Sequence, residues 1–284
     1  MVPNENSTIN QTLDYLSRNA ERLWNATGNG GDRSVSVGNE TVIGKQVSPA
    51  IEIVFSDLKK RFTEFYRIKV RRQGEKSSYF WIRIVKNKPS EKILAALNKQ
   101  YAIMEKLHAF LADNMVKGLH LTCSQPAVFL PEFRALVTKE CSGQLFNSYL
   151  KKQFPLIKQR EIVKHCYNIG VWLKVFHKCF RQNTIQGSEL TPYLDSYKVK
   201  YGKNPDEDMR FVTYCHNDYS PRNIFVAANS VEVIDFVNVE YGLPDADLHF
   251  FKNYMTNAKF NLLYPRALKN NMLAAFQEGY LVEA

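Results

Sequence analysis

Four polar side chains, His216, Asp218, Asn223 and Asp235, stand in or beside three apolar runs, Phe211–Cys215, Ile224–Ala227 and Val231–Phe236. The two acids and the amide are hard oxygen donors of the kind that hold Mg²⁺. Each borders a strand-like run that would fix it at the edge of a core. Phosphoryl transfer asks little covalent chemistry of a protein. It needs a divalent cation held by a carboxylate and an amide oxygen, and a second carboxylate to receive the acceptor hydroxyl's proton. A plainer reading makes Asp and Asn turn formers between strands. It explains one Asp–Asn pair, not the ordered set of four.

The segment His216-Asn217-Asp218, then Asn223, then Ile234-Asp235-Phe236 resembles the H-x-D-x4-N and I-D-F motifs of the aminoglycoside phosphotransferase and choline kinase superfamily. Other segments agree in order. Ile169-Gly170 with Leu173, Phe176 and His177 resembles the helix preceding the catalytic loop. Thr138–Gly143 resembles the hinge whose backbone meets adenine. Gly242–Leu248 resembles a G-D-P-x-x-D-L motif whose last acid, here Asp247, braces the catalytic loop. Ala275–Tyr280 resembles a common helix end. The resemblance covers about residues 60–281, most firmly the C-terminal half. It implies an α+β, bilobal, protein-kinase-like fold, with a small β-rich N-lobe and a larger, mostly helical C-lobe.

The resemblance also implies the site. ATP would lie between the lobes, with adenine against the backbone of Glu140–Ser142. Asn223 and Asp235 would hold Mg²⁺, and Asp218 would orient the acceptor hydroxyl and take its proton, while His216 braces the loop. A cation on the third strand, Lys86 or Arg83, would steady the non-transferred phosphates, oriented by Glu105. Ile84, two residues before Lys86, suits an adenine floor; Trp81, two before Arg83, would crowd it. The phosphate-covering loop would fall between Phe55 and Phe65, a stretch without glycine. The acceptor would be a small hydroxyl-bearing molecule: a sugar, glycan, amino alcohol or aminoglycoside-like compound. Set against this reading are a choline/ethanolamine kinase-type enzyme, which His216-Asn217-Asp218 after Cys215 resembles, and a kinase-shaped, ATP-binding regulatory protein without transfer. Such proteins usually lack one of the three residues present here. A protein kinase would carry D-F-G where this chain has Asp235-Phe236-Val237.

The elements that must position these residues follow from periodicity. Ile9, Leu13, Leu16, Ala20 and Leu23 form a helical stripe, expected to dock on its own domain rather than on a membrane. Residues 25–48 read as loop. Ile51–Phe55, Phe65–Arg72 and Tyr79–Lys86 read as strands, the last two as a hairpin, and Ala127–Leu130 and Ala135–Thr138 as two more. Helices are expected over about 90–113, 145–152, 157–180 and 247–281; residues 181–210 read as loops with a short helix at most. The division is then an extension over 1–50, an N-lobe over 51–142 and a C-lobe over 143–284.

Composition bounds the partners. The chain of 284 residues is 45% hydrophobic and 13% aromatic, which excludes bulk disorder. A formal charge of +10 favours anionic partners. The basic run from Lys59 to Lys76 reads as a solvated strand face or an anion-binding surface before a nucleic-acid site, since Phe62, Phe65 and Tyr66 fit the strand core. No apolar window is long enough to span a membrane. No leader pattern opens the chain, and the five scattered cysteines form no metal pattern. A cytoplasmic location with structural thiols is expected.

Overall fold

The computed structural model describes residues 5–20, 23, 50–55, 63–71, 76–85, 91–113, 116, 118–152, 158–257 and 264–282. The proposed phosphate-covering loop and Lys86 fall largely outside these residues, as do Lys59, Lys60, Arg61, Arg72 and the 25–48 loop. The fold is α+β, and the chain divides into two compact units. One comprises residues 1–102 and 125–140, the other 103–124 and 141–284.

The first unit is built on a five-stranded antiparallel sheet. Its strands are β1 (Ala50–Phe55), β2 (Thr63–Arg71), β3 (Ser78–Val85), β5 (Pro126–Leu130) and β6 (Ala135–Lys139), in the order β1-β2-β3-β6-β5. Strand alternation sorts their side chains into two faces. Ile68, Val70, Phe80, Ile82, Ile84, Val128 and Val137 form one buried face. Helix α1 (Glu5–Arg18) adds Ile9 and Leu16 to that cluster, and Leu23 beyond it joins them. The N-terminal stripe therefore serves the core of its own unit, as its periodicity predicts. The other face carries Phe65, Arg67, Tyr79, Trp81 and Arg83, all half-buried. There Arg67 lies 4.3 Å from the Tyr79 ring centroid and Arg83 lies 5.9 Å from that of Phe65. These cation–ring contacts let the face be basic and aromatic at once.

The unit boundary falls within helix α2 (Glu91–Asp113) and again after Glu140. The first crossing lies inside a helix and the second between Glu140 and Cys141. Residues 103–124 join the second unit because β4 (His120–Cys123) pairs in parallel with β10 (Ser230–Val233), register Leu121↔Val231. That sheet runs β4-β10-β9-β7, with β7 at Gln144–Leu145 and β9 at Ile224–Ala227. A two-stranded ribbon pairs β8 (Thr213–Cys215) with β11 (Glu240–Gly242).

Helices dominate the second unit: α3 (Phe146–Lys152), α4 (Gln159–Phe180), α5 (Thr191–Tyr201), α6 (Asp245–Asn257) and α7 (Arg266–Leu281). Helices α4 and α7 cross at a pair of glycines. A methyl on Gly170 would meet the Phe276 carbonyl oxygen at 2.0 Å, and one on Gly279 would meet that of Tyr167 at 2.0 Å. The backbones therefore touch, which only glycine permits at both positions. Around this crossing Trp172 stacks on Phe176 and Tyr219, and Phe251 on Phe276. No helix among the described residues is long and apolar enough to cross a membrane.

Candidate active site

The loop from Cys215 to Asn223 joins β8 to β9, and three anchors set its shape. Its first anchor is Asp247, in the first turn of α6 and fully buried. Asp247 Oδ2 accepts the His216 N–H at 2.7 Å, and Oδ1 accepts the Asn217 N–H at 2.8 Å. His177, near the end of α4, bonds Asp247 Oδ2 through Nε2 at 3.1 Å and the Tyr280 hydroxyl of α7 through Nδ1 at 2.8 Å. The Thr213 hydroxyl donates to the His177 carbonyl at 2.8 Å, which ties in β8. One carboxylate thus registers β8, α4 and α6 against the loop, the bracing that the motif resemblance implies. The second anchor is Tyr219, wholly buried, whose hydroxyl donates to the Ile169 carbonyl at 2.8 Å.

The third anchor links this loop to the one that follows β10. The Ile234 N–H donates to the Asn223 carbonyl at 2.9 Å. His216 Nε2 lies 3.0 Å from the Ile234 carbonyl, so it carries the proton and donates. Both bonds hold Ile234, and Asp235 is the next residue. Asp235 adopts the left-handed backbone, φ 65° and ψ 62°, and opens a 3₁₀ turn whose Phe236 is buried. A non-glycine residue there costs about 1 kcal/mol and turns the chain sharply. Asn217, φ 59°, is the other left-handed residue of the site, and its side-chain amide donates to the Asn238 carbonyl at 3.1 Å.

Asn223 is buried, while Asp218 and Asp235 are half-buried. Asn223 Nδ2 donates to both the backbone carbonyl of Asp218, at 2.9 Å, and its Oδ2, at 3.0 Å. With the nitrogen so engaged, Oδ1 is the amide atom that can meet a cation. Asp218, Asn223 and the backbone leading into Asp235 therefore come together. A hard divalent ion suits this donor set, an amide oxygen and a carboxylate at the edge of a core.

The remaining sequence-predicted residues lie as follows. Arg83 is on the half-buried face of β3, and its Nη1 donates to Gln100 Oε1 of α2 at 3.3 Å. Gln100 is only 5% exposed, and sequence reasoning passed it over because its neighbours gave it no special pattern. Glu105, one and a half turns further along α2, is exposed. Glu140 forms a two-pronged ion pair with Arg67, at 2.8 and 2.7 Å, and its N–H donates to the Tyr79 carbonyl. The Ser142 N–H donates to Glu232 Oε2 at 2.9 Å. The N–H groups of both predicted adenine contacts are thus engaged within the fold. Glu232 was missed as well, since it lies in a strand ninety residues away.

No family model matches the chain, and no curated protein matches it. Among solved structures it is similar to a choline/ethanolamine kinase family protein from Mesorhizobium loti, with 14% identity over 80% of this chain and 69% of that one, TM-score 0.39. It is similar to APH(2'')-IIa in its complex with gentamicin, with 15% identity over 82% and 78%, TM-score 0.44. It is similar also to the amicoumacin kinase hAmiN in complex with AMP-PNP, Ca²⁺ and Ami, with 12% identity over 81% and 71%, TM-score 0.46. The braced loop and the Asn223 amide held against Asp218, rather than these likenesses, carry the functional reading.

Proposed function

We propose that the chain is an ATP-dependent phosphotransferase that moves the γ-phosphate of ATP to a hydroxyl of a small molecule. The observation that supports this most is the Asn223 amide. Its nitrogen is tied to Asp218, which leaves Oδ1 for a metal, and its backbone carbonyl holds the strand end that delivers Asp235. Mg²⁺, held by Asn223 Oδ1 and Asp235, would neutralise phosphate charge during transfer.

Asp218 accepts the acceptor's hydroxyl proton and orients that oxygen; its half-buried carboxylate is fixed in direction by Asn223. His216 positions the loop through Ile234 and touches no reacting atom. Arg83, or Lys86, takes the role of steadying the non-transferred phosphates. In the first case Gln100 orients the guanidinium; in the second, Glu105 is the partner that the resemblance offers. The carbonyls of Glu140–Ser142 remain the groups to meet the adenine amine.

Asp218→Asn keeps the shape and the Asn223 contact but removes the base. Phosphate transfer, screened over sugars, amino alcohols and antibiotics, should be abolished in this variant while nucleotide binding persists. Transfer at the wild-type rate by Asp218→Asn would refute the assignment.

A further inference from the structure

The loop that carries Asp218 and Asn223 also carries Arg222, and that side chain is held in a particular way. Its guanidinium stands over the Tyr254 ring of α6, 5.0 Å from the centroid. Tyr254 donates its hydroxyl to Asn147 Oδ1 of α3 at 3.3 Å. The Asn147 N–H donates to the Pro221 carbonyl at 2.8 Å, which closes the circuit back to Arg222. Arg222 is exposed, and among the described residues no carboxylate pairs with it. The Tyr254 phenol is pushed up by burial, opposed by Arg222 and reinforced by Asp218, so one ring senses both charges. Lys151 lies one turn beyond Asn147 on α3 and is exposed. Residues four apart share a helix face, and α3 contains no acid.

An arginine stacked on a tyrosine keeps its planar edge of N–H donors open. That edge matches a carboxylate or a phosphate with two parallel bonds. Holding the guanidinium in advance lowers the ordering cost of binding. A cationic acceptor at the same place would meet Arg222 and Lys151 and be repelled.

We propose that Arg222, seated on Tyr254, recognises an anionic group of the acceptor, so that the acceptor is a hydroxyl-bearing molecule carrying a carboxylate or a phosphate. This rests on the phosphotransferase reading, with Asp218 meeting the hydroxyl while Arg222 meets the anion. The chain's formal charge of +10 is in keeping with it.

Inorganic phosphate serves as the probe. It is titrated by calorimetry into the full chain, first alone and then saturated with Mg²⁺ and the non-hydrolysable analogue AMP-PNP. Wild type should bind phosphate saturably with nucleotide in place. Arg222→Ala should weaken that binding at least about tenfold, the loss of a two-pronged charged contact. Tyr254→Phe, which keeps the ring, should stay within about threefold of wild type, and Tyr254→Leu should fall toward Arg222→Ala. AMP-PNP affinity should change by no more than about twofold in each variant. Equal phosphate binding by Arg222→Ala and wild type would overturn the proposal. So would no phosphate binding by wild type, or a loss of AMP-PNP affinity in Arg222→Ala, which would give Arg222 to the nucleotide. Should wild type bind no nucleotide, the phosphotransferase reading fails separately. The titration without nucleotide then still decides whether Arg222 holds an anion.

Discussion

Replacing Asp247 by Asn preserves its volume and removes its charge. The carboxylate accepts N–H groups from His216 and Asn217 and a contact from His177, and it has no exposure to water. An amide keeps one oxygen for one side of this arrangement; on the other side its NH₂ faces a donor. One charge-assisted bond, about 1.5–3 kcal/mol, is lost, and a stranded buried N–H adds about 1–3 kcal/mol. The sum, roughly 2.5–6 kcal/mol, is a large part of the stability of an ordinary domain. Urea denaturation followed by circular dichroism should show this loss at unchanged m-value. The melting temperature should fall by roughly 5–24 °C. Phosphate transfer should fall as well, since the displaced loop carries Asp218. A stability change below about 1 kcal/mol at unchanged m-value would refute the reasoning, because buried charged bonds at these distances cannot be so cheap to lose.

Gly279→Ala forces a methyl onto the Tyr167 carbonyl at 2.0 Å, so α4 and α7 must separate. A loss of at least about 2 kcal/mol in denaturant unfolding is expected, and a neutral outcome would contradict the crossing. Thiol titration with DTNB should modify Cys141 in the native protein, and Cys179 more slowly, because burial pushes the Cys179 thiol up to about 11. Cys123, Cys166 and Cys215 are buried, with their thiols pushed up, and should react only on unfolding. His165, packed edge-on against Tyr149 and Phe146, is pushed down chiefly by burial, against the pull of Glu161. Its folded state binds protons less readily than the unfolded state. Stability is therefore whole above the ordinary histidine value of about 6.5 and declines as pH falls through it toward the lower folded value. His165→Gln should flatten that part of the stability–pH curve; an unchanged slope would clear His165 of the role.

Much of this architecture was legible because it depends on local pattern. The alternation in Tyr79–Lys86, the stripe at Ile9–Leu23 and the run Ile162–Phe176 each announce a face to bury, and each is buried. The polar skeleton was legible for a related reason, since each of its members borders a strand. Strand β4 was missed because four residues, His120–Cys123, have no strand signal of their own. They extend only by pairing with β10, more than a hundred positions later. Helix α5 is the short helix allowed within residues 181–210, and its extent was not legible because it buries only Tyr197 and so shows no stripe. Its ends were nonetheless marked, by Pro192 at the start and by Gly202 in the left-handed cap, φ 69°. The Arg67–Glu140 and Ser142–Glu232 contacts join residues 73 and 90 positions apart, beyond any periodic signal.

The central claim is that Asn223 and Asp235 hold a divalent ion against a nucleotide's phosphates. Calorimetry of AMP-PNP binding, with and without Mg²⁺, tests it directly on wild type and Asp235→Ala. Wild type should bind the analogue in a Mg²⁺-dependent manner, and Asp235→Ala should bind at least about thirtyfold more weakly. Affinity that is the same without Mg²⁺, or the same in Asp235→Ala as in wild type, would contradict the claim.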